Sequence, residues 1–151
     1  MAKIKEFSIF LERSGRVGID TSIFIYKFEQ HPQFEPLCSV VFSLLSKDQI
    51  ELITSTVTVA EILVRPWRVK DSALLQAYEN IFLTLPNFLL TVIDYRVAKT
   101  AAFLRAKYNI RLPDALQIAA ALTNQAKIFV TNDIQLKVVK DLKIACLSDY
   151  I

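Results

Sequence analysis

An α/β fold, with a mostly parallel central sheet covered by helices on both faces, is predicted by three features of this chain. Short runs of β-branched and aliphatic residues alternate with amphipathic stretches of helical period. The strand-like runs are nearly unbroken in apolar character, as befits strands buried on both faces. Acidic residues stand where those strands end or where the next helix begins, the edge at which such sheets place ligands.

The elements follow in order. Arg16 to Ile19 forms a first strand ending at Asp20, and Thr21 to Phe28 is a helix that breaks at His31-Pro32. Behind Pro36, a tolerated first-turn proline, Leu37, Val40, Val41, Leu44 and Leu45 fall on one helical face. Ile50 to Thr54 is a second strand, leading into a helix from Thr56 that carries Glu61 and is expected to stop before Pro66. Asp71 caps a helix with Leu74, Leu75, Tyr78, Ile81 and Phe82 inward, closed by Pro86. Phe88 to Ile93 is a third strand, followed by Asp94 and the helix Tyr95 to Tyr108. Leu112 to Thr123 is an Ala-rich helix whose small residues permit close approach to a sheet. Lys127 to Val130, a short helix from Asp133 to Val139, and an edge strand Lys143 to Cys146 complete the chain.

The 151 residues suit one domain, 1–151, with residues 1–15 as an N-terminal extension before the first strand. A domain of this size buries about 68–70% of its unfolded surface and needs no disulfide or structural metal. With 53% hydrophobic residues and only 2 glycines, disorder and Gly-rich phosphate loops are both excluded. The longest uncharged stretch, Asn80 to Ile93, is 14 residues and contains Pro86, too short to span a bilayer, so no membrane partner is expected. Glu6 and Glu12 interrupt the apolar run at the N-terminus, so a cytoplasmic protein is expected. Cys38 and Cys146, 108 residues apart, are then reduced thiols rather than a redox pair or zinc ligands.

Net charge is +3; with Asp20, Glu61, Asp114 and Asp133 gathered in one cluster, the rest of the molecule carries +7 and attracts polyanions. Carboxylates brought together raise each other's pKa unless a cation lies between them, and a hard divalent ion is the usual solution. Each acid also has a structural explanation. Asp20 and Asp133 sit at N-cap positions, Asp114 in a first helical turn, and Glu61 four residues before Arg65. Asp94 occupies a similar strand end, so position alone does not choose four acids from five.

The residues around the acids are more specific. Gly18-Ile19-Asp20-Thr21-Ser22-Ile23-Phe24-Ile25-Tyr26, Thr58-Val59-Ala60-Glu61-Ile62, Leu112-Pro113-Asp114-Ala115-Leu116-Gln117-Ile118-Ala119-Ala120-Ala121 and Val130-Thr131-Asn132-Asp133 resemble, in order, the four acidic motifs of PIN-domain nucleases. The resemblance covers Arg16 to Cys146 and is closest to VapC-type toxin ribonucleases. It departs in having Leu136 where an aromatic often follows the last acid.

That resemblance implies a PIN-like fold and a ribonuclease in which Asp20, Glu61, Asp114 and Asp133 hold Mg²⁺ or Mn²⁺, with Thr21, Ser22 and Thr131 orienting them. It also implies a homodimer and a VapB-like antitoxin as partners. Arg65, Trp67, Arg68 and Lys70 combine charge with an aromatic suited to an unpaired base of an RNA substrate, and Lys107 and Arg111 precede Asp114. Two alternatives stay open: a housekeeping PIN nuclease for RNA processing, and a non-catalytic PIN-like module for RNA binding or assembly.

Overall fold

The computed structural model describes residues 1–151. Five strands, β1 (Arg16–Ile19), β2 (Glu51–Ser55), β3 (Phe88–Thr91), β4 (Ile128–Thr131) and β5 (Lys143–Cys146), form one sheet in the order β3-β2-β1-β4-β5, all parallel. The predicted α/β class and all five strands are present. β3 stops two residues early because its partner β2 ends at Ser55, paired with Thr91, and nothing remains for Val92 to pair with.

The chain builds outward from β1 to β3 and then crosses to β4 on the other side of β1. Between β1 and β4 lies the point where strand order reverses, the position at which open α/β sheets form a crevice.

Two cores flank the sheet. Alternate strand residues, Val17, Ile19, Leu52, Ile128 and Val130, face one way. They meet α1 (Ala2–Ser14), α2 (Thr21–Phe28), α3 (Glu35–Ser46) and α6 (Ser72–Thr84) through Phe7, Phe24, Leu37, Val41 and Tyr78. Ile53 and Phe129 face the other way, against α7 (Tyr95–Tyr108) and α8 (Leu112–Thr123). This period-two division is what a doubly covered sheet requires.

Gly18 of β1 is the closest approach in the second core. A Cβ there would lie 2.5 Å from the Ala121 Cβ of α8, so both residues must be small for α8 to seat on the sheet. α8 thereby brings its N-terminus to the crevice.

Three local features go beyond what the sequence predicts. The helix bearing Glu61, α4 (Thr56–Ile62), stops before Pro66 as expected, and a further short helix, α5 (Val64–Arg68), follows at once with Pro66 near its start, where the missing N–H costs nothing. The short helix expected after Asp133 is a 3₁₀ turn, Ile134–Val138. Residues 1–15 are mostly helix: α1 inserts Phe7 and Leu11, both fully buried, into the first core and packs on α3 and on the C-terminal turn Leu147–Tyr150. Cys38 and Cys146 are buried and free, and burial pushes the Cys38 thiol up to about 12. No helix is long and apolar enough to cross a membrane.

Candidate active site

Asp20 follows the last residue of β1, and the register sets Ile19 beside Val130, so Asp20 and Thr131 emerge together from adjacent strands. Asp20 accepts the Ser22 N–H at 3.0 Å as the N-cap of α2, and also the hydroxyls of Ser22 and Thr131. Thr131 Oγ1 in turn accepts the Asp133 N–H at 3.1 Å, and Asp133 caps the 3₁₀ turn by accepting the Gln135 N–H at 2.9 Å. Capping and membership of the acid cluster are therefore compatible. The capping geometry is what aims these two carboxylates.

Glu61 reaches the same place from α4, where its Oε1 accepts the Thr21 hydroxyl at 2.8 Å. The salt bridge to Arg65, the alternative explanation of Glu61, does not form; Arg65 binds Glu29 instead. Asp114, in the first turn of α8, is met by Arg111 at 3.2 Å. All four acids, with Thr21, Ser22, Ile25, Tyr26, Arg111, Gln117 and Asn132, line one open cavity of about 600 Å³.

Asp94 is not among them. It caps α7 by accepting the Val97 N–H at 2.9 Å, at the end of edge strand β3, two strands from β1 and hence about 10 Å away along the sheet. A second cavity of about 580 Å³, lined by Gly15, Arg16, Asp48 and Glu51, lies at the amino ends of β1, β2 and β3, and Arg16 there is paired with Glu51.

Beneath the acids lies every buried polar side chain in the protein: Thr21, Thr54, Ser55, Thr58, Gln117 and Thr131. Gln117, only 3% exposed, ties together all of these but Thr131. Its Oε1 accepts the Ser55 hydroxyl at 2.7 Å, and its Nε2 donates to Thr58 at 2.7 Å and Thr21 at 3.2 Å. No buried side-chain polar atom is left without a partner. A fully satisfied network of this kind is rigid, and this one holds Thr21, and through it Glu61, against α8. Sequence reasoning did not single out Gln117, Thr54, Ser55 or Thr58. A signal was present, since Gln117 is the one polar residue on the buried stripe of α8, one turn beyond Asp114.

Burial raises the Asp20 carboxyl from its ordinary range to about 6, against the pull of its hydrogen bonds, and Asp114 adds repulsion. Asp114 is raised too, by burial and by Asp133, with Arg111 opposing. The carboxylates thus sense one another, the electrostatic condition a cation relieves. An all-oxygen donor set of this charge suits a hard divalent ion. As the side chains stand, no three converge on one point. Asp114 leans to Arg111 and Glu61 to Thr21, so an ion here would be met partly through water, as Mg²⁺ commonly is.

The predicted RNA contacts divide. Arg111 lines the cavity and is its only cation. Lys107 does not line it: at the C-terminal end of α7 it pairs with Asp141 at 3.6 Å. Arg65, Trp67, Arg68 and Lys70 stand on or just after α5, outside the cavity, and Trp67 is 65% exposed, so it is no core residue.

The sequence profile of the PIN domain matches residues 17–142. The chain belongs to the PIN domain family. Among solved structures, this PIN domain is similar to VapBC2 from Rickettsia felis bound to a DNA fragment from its promoter, with a TM-score of 0.69 and 21% identity over 87% of this chain and 98% of that one. It is also similar to a toxin–antitoxin complex from Klebsiella pneumoniae, with a TM-score of 0.63 and 20% identity over 87% and 97%. DNA-bound VapBC from Salmonella typhimurium gives 0.64 and 14% over 87% and 98%. At these identities the likeness speaks for the fold. No curated protein sequence matches the chain. α1 lies outside the PIN match, as does the whole segment from β5 onward.

Proposed function

We propose that this PIN domain is a ribonuclease dependent on Mg²⁺ or Mn²⁺, acting as the toxin of a type II toxin–antitoxin pair. One observation carries the reading: four carboxylates from four separate segments line a single open cavity, above a polar layer that holds them. A divalent ion bound there would neutralise the scissile phosphate and lower the pKa of a bound water for in-line attack.

The chain's own residues supply the rest. Asp20 and Asp114 are the principal ligands, with Asp133 and Glu61 completing the set directly or through water. Ser22 and Thr131 hold Asp20 by donating to it, and Thr21 holds Glu61. Arg111, with 78% of its side chain exposed, keeps Asp114 paired and presents its outer side to an RNA phosphate. Arg68, Lys70 and Trp67 extend the RNA surface beyond the cavity. The likeness to VapBC complexes supports a VapB-like antitoxin as partner, and the resemblance of the four acidic motifs carries the expectation of a homodimer.

The test is incubation of pure protein with structured and unstructured RNA, with and without Mg²⁺ or Mn²⁺, beside Asp20→Asn and Asp114→Asn. Cleavage that needs metal and disappears in both variants is expected. EDTA-sensitive cleavage retained in both would refute the assignment. Each acid also has a protein partner, which is the pattern of a non-catalytic module; folded protein that binds RNA and never cuts it would favour that alternative.

A further inference from the structure

One wall of the acid cavity, formed by Tyr26 and Asn132, has no part in the carboxylate scheme. Tyr26 lies on α2 with its ring pinned, stacked on Phe34 at 5.1 Å between centroids and 4.8 Å from His31. Asn132 stands between Thr131 and Asp133. Its Oδ1 accepts the Ser148 N–H at 3.2 Å, and only the amide oxygen can do so, which fixes the orientation of the amide. Nδ2 consequently faces Tyr26 and donates to its hydroxyl at 3.3 Å.

Two protons remain uncommitted at this wall, that of the Tyr26 hydroxyl and the second on Asn132 Nδ2. They are neighbouring neutral donors held by rigid surroundings, whereas the positive charge available to the scissile phosphate belongs to Arg111 and the proposed ion. A phosphate oxygen beside several carboxylates needs a cation; a neutral acceptor does not. A nucleobase carbonyl is such an acceptor. Its two lone pairs can take both protons, whereas each ring nitrogen of adenine has one. Single-stranded RNA offers splayed bases to be read in this way.

We propose that Tyr26 and Asn132 form a base-reading subsite, which seats a carbonyl-bearing nucleobase (uracil, cytosine or guanine) next to the scissile phosphate and disfavours adenine. The inference rests on the ribonuclease reading above. Sites built to hydrogen-bond a substrate group reject analogues that leave their donors unpaired.

The experiment is cleavage of a randomised single-stranded RNA with Mn²⁺ by wild type, Tyr26→Phe and Asn132→Ala, with the cut ends sequenced. Tyr26→Phe keeps the ring and its packing, and a thermal melt checks that each variant is folded. Wild type should under-use adenine by about fivefold or more at one position flanking the cut, and the variants should flatten this to within about twofold. Cleavage with no base preference, or with the same profile in all three proteins, overturns the subsite alone. If wild type cuts no RNA with either metal, the ribonuclease reading fails and the subsite falls with it.

Discussion

The Thr131 hydroxyl donates to Asp20, and the same oxygen receives the Asp133 N–H. One buried side chain on β4 thus sets the position of two acids from different segments. The parallel register of β1 and β4 makes this possible by placing Ile19 beside Val130.

Thr131→Val keeps the shape of the side chain and removes both bonds. Unfolding in urea should show a loss of about 1–3 kcal/mol, and cleavage should fall at least tenfold. A variant of unchanged activity would mean that Asp20 needs no such support.

Asp20 imposes a pH dependence on the metal-free protein. Its folded pKa, about 6, lies above the ordinary 3.8. Between those values the folded state holds a proton that the unfolded chain has released, so stability falls as pH rises through that window and levels off above it. The loss is roughly 2–3 kcal/mol, and Asp20→Asn should remove it, leaving the variant more stable than wild type at pH 7. Urea titrations from pH 4 to 7 in EDTA check this; parallel curves for the two proteins would contradict it. Adding Mn²⁺ should restore wild type and not the variant.

Gln117→Leu nearly conserves volume yet strands Ser55, Thr58 and Thr21. We expect a destabilisation of about 2–4 kcal/mol in chemical denaturation, because the buried Ser55 hydroxyl loses its acceptor and the Thr58 and Thr21 oxygens lose a donor. Cleavage should weaken as well, since Thr21 holds Glu61.

Gly18→Ala drives a methyl into Ala121 at 2.5 Å and should lower stability by about 1–3 kcal/mol. Ala121→Gly in the same chain opens the space, so the double variant should recover part of the loss in a thermal melt. Strict additivity of the two changes would deny the contact.

Much of the fold was legible in the chain because its signals are local. Apolar runs marked the five strands, and Asp20, Asp71 and Asp94 announced the helices they cap. Pro66 marked a stop for the Glu61 helix and gave no sign of α5, because proline is also welcome near the start of a helix, and only the chain's path past Ile62 shows that a new one begins. The N-terminal helix was missed because its inward face is narrow, with only Phe7 and Leu11 buried.

By itself the sequence determined the α/β class and the four acidic motifs, since periodicity and strand-end residues are properties of neighbours in the chain. Only the tertiary structure decided which acids meet. Asp94 and Asp133 each follow an apolar strand and each cap a helical turn, yet strand order sends one to an edge and the other to the crevice beside β1. The same long-range packing drew Gln117 under the site and turned Arg65 to Glu29, because which polar groups share a buried layer is settled by how the helices seat on the sheet.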